Sequence, residues 1–169
     1  MGVGRVRAAD PADTRTRPAA TCLDVMEPLL QLLAVVLTAL ALVPAAAHVL
    51  ELPNKLPLQR EEYLTVQQVY RGWNRIGFIV LPAIAVTMWL AIISEGPAEA
   101  PAVVAFVAIL FTQVVFWGYT FPINRLTHDW TEAPDNWEQL RDRWEISHAA
   151  SAVLNFIALV CVAVSIALA

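Results

Sequence analysis

Charge is what this sequence has least of. Only 15% of its 169 residues are Asp, Glu, Lys or Arg, against about a quarter in an ordinary soluble domain. Four long stretches, residues 29–47, 76–93, 102–119 and 149–169, contain no charged residue at all. Cysteine is nearly absent as well. Cys22 and Cys161 stand far apart, which excludes a disulfide framework and a cysteine-based metal site. A Gly-rich phosphate loop, a Cys-x-x-Cys-His haem attachment and a nucleophile elbow are all missing. The net charge of -4 argues against a nucleic-acid binder. A transporter is disfavoured too, because the apolar runs carry no ionisable group and the chain has no internal repeat.

What is present is apolar surface. Hydrophobic residues make up 58% of the chain, and the mean hydropathy is +0.57. Each uncharged run has about the length that a helix needs to cross roughly 30 Å of hydrocarbon. Lipid offers no partners to backbone N–H and C=O groups, so such runs must be helical. The fold expected is all-α: an integral membrane four-helix bundle over residues 26–169, multi-pass, with the lipid bilayer as its first partner and no separate soluble domain. Pro44 and Pro82 fall inside runs and predict local kinks. Residues 1–25, rich in Arg, Ala, Thr and Pro without apolar period, read as a disordered tail. Translation from Met26 is the alternative reading of that segment.

The connectors are unequal. Residues 94–101 form a short turn, whereas residues 48–75 and 121–148 are long and, after alternating crossings, share one membrane face. That face takes all three histidines, His48, His128 and His148, together with all three tyrosines. It also takes Lys55, Arg60, Arg71, Arg75, Arg125, Arg141 and Arg143. The positive-inside rule therefore predicts a cytoplasmic position for the long connectors, in the cell membrane.

Helical spacing extends into these connectors. Residues 61–74 read as a helix with Tyr63, Gln67, Tyr70 and Asn74 on one face, preceded by an irregular stretch broken at Pro53 and Pro57. Gln113, Trp117, Thr120 and Asn124 recur along the third run. Asp135 and Glu138 have capping-box spacing, and one long helix is predicted from about residue 136 to the C-terminus, with Arg141, Trp144, Glu145, His148, Ser151 and Asn155 along it. Polar side chains avoid lipid, so these stripes predict a polar pocket open to the long-connector face. The plainer alternative is that Gln113, Ser151 and Asn155 only join helices, for about 0.6 kcal/mol each.

Two pairs have metal-ligand character: His48 with Glu51, and Glu145 with His148 at the i, i+3 spacing of di-iron bundles. Such ligands suit iron, manganese or zinc. Against this, no run supplies further carboxylates, and Arg141 lies four residues before Glu145, where an ordinary helical ion pair would use it. A haem between His48 and His148 is a second option, and no cofactor a third. Arg125, Arg141 and Arg143 form a cationic set able to hold an anionic substrate or lipid headgroup, or simply to anchor helix ends. His128 reads as an interfacial loop residue.

Pro122-Ile123-Asn124-Arg125-Leu126, followed by Arg143-Trp144 and His148, resembles the anthrone-oxygenase-like family of small four-helix membrane proteins, largely a bacterial domain of unknown function. The resemblance covers the architecture from Leu29 onward, and its matched positions are Asn124, Trp144 and His148. Fungal members oxidise polyketide anthrones with molecular oxygen without a dedicated cofactor. The resemblance thus implies an oxygenase or oxidoreductase acting on a lipophilic, aromatic or polyketide-like small molecule. In that scheme His148 is general base, Glu145 orients or ligates beside it, and Asn124 with Arg141 or Arg143 stabilises an oxyanion. Trp144, Tyr70, Asn74, Gln113 and Trp117 would line the substrate pocket. The competing expectation is a non-enzymatic membrane component, an assembly partner or small-molecule binder. Oligomeric state is open in both.

Overall fold

The computed structural model describes residues 22–169, without the side chains of residues 22–25 and 74. The expected tail lies outside the described residues as far as residue 21, and from Cys22 the chain is helical. Six α-helices follow: α1 (Cys22–Lys55), α2 (Arg60–Gln67), α3 (Gly77–Ile93), α4 (Glu99–Val115), α5 (Phe121–Leu126) and α6 (Trp137–Leu168). The long helices α1, α3, α4 and α6 form a bundle in which α1 and α4 each pack against both α3 and α6. Three segments, Met26–Lys55, Gly96–Leu126 and Trp137–Leu168, are long and apolar enough to cross a membrane. The fourth, α3, has 17 residues, about 25 Å of helix, and is extended by the 3-10 turn Trp73–Ile76.

The packing clusters fix the helix directions. One level holds Ala34, Leu90, Ala102, Ala105 and Val162, and the next holds Ala41, Ala83, Ala108, Ile109 and Ala158. Numbering rises between the levels on α1 and α4 and falls on α3 and α6, so the chain runs up and down alternately. Small residues face inward and large ones outward: on α1, Ala34, Thr38, Ala41 and Ala45 are buried, while Leu33, Val36, Leu40 and Val43 are exposed. This is the pattern of a bundle in lipid, where close backbone approach supplies the attraction and the apolar exterior meets hydrocarbon. In water such a continuous apolar exterior would be a liability. On α1 and α3 the buried threonines are satisfied within their own helices: Thr38 and Thr87 donate to the Ala34 and Ala83 carbonyls at 2.6 and 2.8 Å.

Local structure departs from the sequence reading in four places. The irregular stretch expected around Pro53 is helical; α1 runs on to Lys55 and stops because Pro57 disfavours helical backbone at Leu56. The helix expected over residues 61–74 ends at Gln67 and gives way to 3-10 turns on either side of Gly72, whose φ of +86° is a glycine conformation. A π-helical segment, Phe116–Thr120, joins α4 to α5, with the Phe121 N–H bonded to the Phe116 carbonyl. Pro122 explains it, since it has no N–H for the Gly118 carbonyl and a wide turn accommodates its ring. Finally, α6 begins after Asn136 with no side-chain cap, so Asp135 and Glu138 form no capping box; the carboxylate that reaches back to a backbone N–H is Glu62, 2.9 Å from Gln59 at α2.

Close packing of small residues makes a direct prediction. Ala105 is fully buried while neighbouring Val104 is 47% exposed to the bundle exterior. Ala105→Leu should destabilise the protein by about 1–3 kcal/mol, read as a lowered melting temperature in mild detergent, and Val104→Leu should leave it unchanged. Equal tolerance at both positions would contradict the inward-small, outward-large arrangement.

Candidate functional site

The long-connector end of the bundle is polar because three elements deliver their polar residues to one place. The unbroken last turns of α1 put His48, Glu51 and Lys55 on one helix face at i, i+3 and i+7. The first turns of α6 supply Trp144, Glu145 and His148. Between them, α2 contributes Tyr63 and Gln67, and the following 3-10 turn contributes Tyr70.

The centre is the Lys55 ammonium. It lies 3.0 Å from Glu145 Oε1 and 3.1 Å from His48 Nδ1, with Glu51 Oε2 further out at 3.7 Å. Lys55 and Glu145 are each only 3% exposed. The Tyr63 hydroxyl donates to Glu145 Oε1 at 3.0 Å. Burial, then the neighbouring Glu145 carboxylate, push that hydroxyl far above its usual pKa, so Tyr63 is a permanent donor. The Lys55 charge also faces the Tyr70 ring at 5.1 Å and the Trp144 ring at 5.7 Å.

His48 and His148 face one another with ring centres 4.2 Å apart. Trp144 packs against both, at 4.8 Å from His48 and 4.0 Å from His148, and Tyr70 lies 4.3 Å from His48. Asn124, presented by α5 beyond the π segment, accepts a 2.7 Å bond from the Trp144 indole N–H. Its role here is to hold Trp144. Beneath these groups, Tyr63, Ile123, Trp130, Leu140 and Trp144 form an apolar floor. Trp130 reaches it from an unusual turn, His128–Trp130, in which three successive non-glycine residues have positive φ. The Thr127 hydroxyl accepts from the Trp130 N–H at 3.2 Å and steadies that turn.

Several expected site residues are elsewhere. Trp117 is 60% exposed and stacks with Phe116 and Phe121 on the outer surface, because the π turn breaks the helical register that would carry it inward. Gln113 bonds only to its neighbour Thr112 Oγ1, at 3.4 Å, and makes no bond to the cluster. Arg143 is exposed. Arg141 does not pair with Glu145; it bonds the Leu56 carbonyl at 3.2 Å and Asp142 at 3.1 Å and lies over Trp137, sealing the end of α1. Asn74 lies outside the described side chains.

The ligand readings fare similarly. His48, Glu51, Glu145 and His148 do not make a metal-binding group, and no set of three such residues occurs among those described. The physical reason is Lys55, whose ammonium lies among His48 Nδ1 and the Glu145 and Glu51 carboxylates, while His148 Nδ1 is taken by the Trp144 carbonyl. A haem does not fit between the two imidazoles. With iron–nitrogen bonds of about 2 Å on each side their ring centres would stand roughly 6 Å apart, and they are 4.2 Å apart.

Lys55 and Tyr63 are the residues that sequence reasoning under-weighted. The signal for Lys55 was its i+7 relation to His48, obscured by Pro53 between them. Beside the cluster runs an apolar groove of about 380 Å³, lined by Leu40, Val43, Pro44, Trp73, Arg75 and Ile79 among others. Trp73 connects the two, with its ring 5.9 Å from His48 and 5.0 Å from Tyr70. Comparison of the chain with family models, with curated proteins and with solved structures finds no match.

Breaking the buried pair should be costly. Lys55→Met leaves Glu145 desolvated and unpaired, and should lower stability by about 3–5 kcal/mol. Adding Glu145→Gln to that variant should restore part of the loss, measured as melting temperature in detergent. A Lys55→Met protein as stable as the parent would contradict the central position of the pair.

Proposed function

We propose that the chain is a membrane-embedded oxidoreductase, of the oxygenase type, acting on a flat lipophilic molecule that reaches the His48–His148 pair from the lipid side. The observation that carries this reading is the apolar groove lined by Trp73, whose ring packs against His48. A lipophilic aromatic molecule would partition into the bilayer and approach along the groove without crossing water. Behind Trp73 lies the buried His48 and, facing it, His148, an imidazole that can accept a proton from an acidic carbon, in a site walled by Trp73, Tyr70 and Trp144. The carbanion left behind is a species that reacts with molecular oxygen directly, which is the chemistry implied by the resemblance at Asn124, Trp144 and His148. Of the groups first considered for catalysis, His148 keeps the role of base, Glu145 holds Lys55, and Asn124 holds Trp144.

A second reading follows from how completely Lys55, Glu145, Tyr63 and His48 satisfy one another. On that reading the cluster is a lock joining α1, α2 and α6 in a non-enzymatic membrane component. The two readings separate at His148. Membranes carrying the protein and supplied with anthrone-type or other acidic flat aromatics should consume oxygen. His148→Ala and His148→Gln should both reduce this at least 100-fold, with undiminished folded protein in the membrane. Oxygen uptake by His148→Gln equal to the parent's would remove the base role, and loss of folded protein in both variants would favour the lock.

The long-connector end is proposed to face the cytoplasm, with the cell membrane as the site of residence. Lys55, Arg60, Arg71, Arg75, Arg125, Arg141 and Arg143 are all at that end, and among the described residues the opposite end has none. Reporters inserted near residues 97 and 130 should therefore report opposite sides, the latter cytoplasmic. Same-side signals would overturn the topology, and reversed ones the orientation.

A further inference from the structure

The two histidines look equivalent in the sequence, but their Nδ1 atoms meet opposite kinds of partner. His48 Nδ1 lies 3.1 Å from Lys55 Nζ. Lys55 is flanked by the Glu145 carboxylate at 3.0 Å and Glu51 at 3.7 Å, a setting for an ammonium. An ammonium has three donors and no acceptor, so His48 Nδ1 must accept. His148 Nδ1 lies 2.9 Å from the Trp144 carbonyl oxygen. A carbonyl oxygen has no hydrogen, so His148 Nδ1 must donate. In a neutral imidazole one nitrogen carries the proton and the other a lone pair, and each Nδ1 bond therefore decides the state of Nε2.

We infer that Lys55 is a positioning residue which, opposed by the Trp144 carbonyl, holds His48 and His148 in opposite tautomers: His48 with its proton on Nε2, a donor, and His148 with a lone pair on Nε2, a proton acceptor. The facing rings thus form a matched donor and acceptor, not two interchangeable bases. Glu145 acts at one further remove. It holds Lys55, and Tyr63 holds Glu145, so a chain from α2 through α6 to α1 ends at the imidazole of His48. In turnover His148 removes the proton while the His48 Nε2–H bonds the oxygen on which charge develops. That assignment of roles rests on the enzymatic reading above, whereas the tautomers themselves do not.

The test is nitrogen NMR of the full-length protein, labelled with ¹⁵N-histidine and held in lipid nanodiscs, with signals assigned by their loss in His48→Gln and His148→Gln. The parent spectrum should show His48 protonated on Nε2 and His148 protonated on Nδ1. In Lys55→Met combined with Glu145→Gln, which removes both buried charges and leaves only the part-exposed Glu51 carboxylate without its partner, His48 should lose its preference and show both tautomers, while His148 keeps its own. A parent His48 protonated on Nδ1, or an unchanged His48 signal in the double variant, overturns the inference. Should the double variant fail to accumulate, the parent spectrum decides alone. Opposite tautomers together with undiminished oxygen uptake by His148→Gln would uphold the tautomer inference and sink the enzymatic reading.

Discussion

Hydrocarbon neither hydrogen-bonds a polar group nor drives an apolar one inward, and everything in this bundle follows from that pair of facts. With no hydrophobic force between helices, contact has to come from close packing. The inner faces are accordingly built of Ala34, Ala41, Ala83, Ala102, Ala105 and Ala158, with leucine, valine and phenylalanine turned to the lipid. Thr38, Thr87 and Thr112 bond to their own helix carbonyls and ask nothing of their neighbours. Such a seam is tight but undemanding, and it leaves the bundle without any deep polar feature along most of its length.

Polarity is therefore concentrated where the helices leave the hydrocarbon, and there the energetics reverse. Lys55 and Glu145 are buried charges, tolerable only as a pair with every remaining lone pair and proton engaged. Tyr63, His48 and the ring faces of Tyr70 and Trp144 supply those engagements. Because the pair links the end of α1 to the start of α6, and Tyr63 adds α2, the cluster sets the geometry of the connector as well as its charge. Removing any one member leaves the others desolvated, so the cluster behaves as a unit.

The spanning runs were legible in the sequence because they rest on length and the absence of charge, which no tertiary contact can hide. The long-connector face, the long α6 and the grouping of Tyr70, Trp144, Glu145 and His148 were legible from helical spacing. Lys55 was not, since its partnership with Glu145 joins residues 90 apart and depends on α1 surviving Pro53. Proline near a helix end costs little, because few backbone bonds remain to be lost there, and spacing rules have no way to weigh that. Trp117 failed for the opposite reason. Its spacing with Gln113 and Asn124 assumed 3.6 residues per turn throughout, and the π segment at Pro122 inserts extra residues into that turn. Ligand spacing along a helix says nothing about a cation that takes the same ligands: Lys55, one turn past Glu51 on α1, meets His48 and reaches Glu145 on α6.

The groove and the cluster are consequences of one break in the chain. The helix that begins at Arg60 could have continued into α3, but Gly72 turns it aside, and the 3-10 turn Trp73–Ile76 re-enters the bundle beside Pro44. The 3-10 turn has no regular ridges to mesh with the grooves of α1, so an apolar gap remains beside Pro44. The same turn places Trp73 between that gap and His48, and Tyr70 between Trp73 and Lys55. His48 itself is buried, with Nδ1 against Lys55 and its ring covered by Tyr70, Trp73, Trp144 and His148, so Trp73 is the side chain that separates it from the groove.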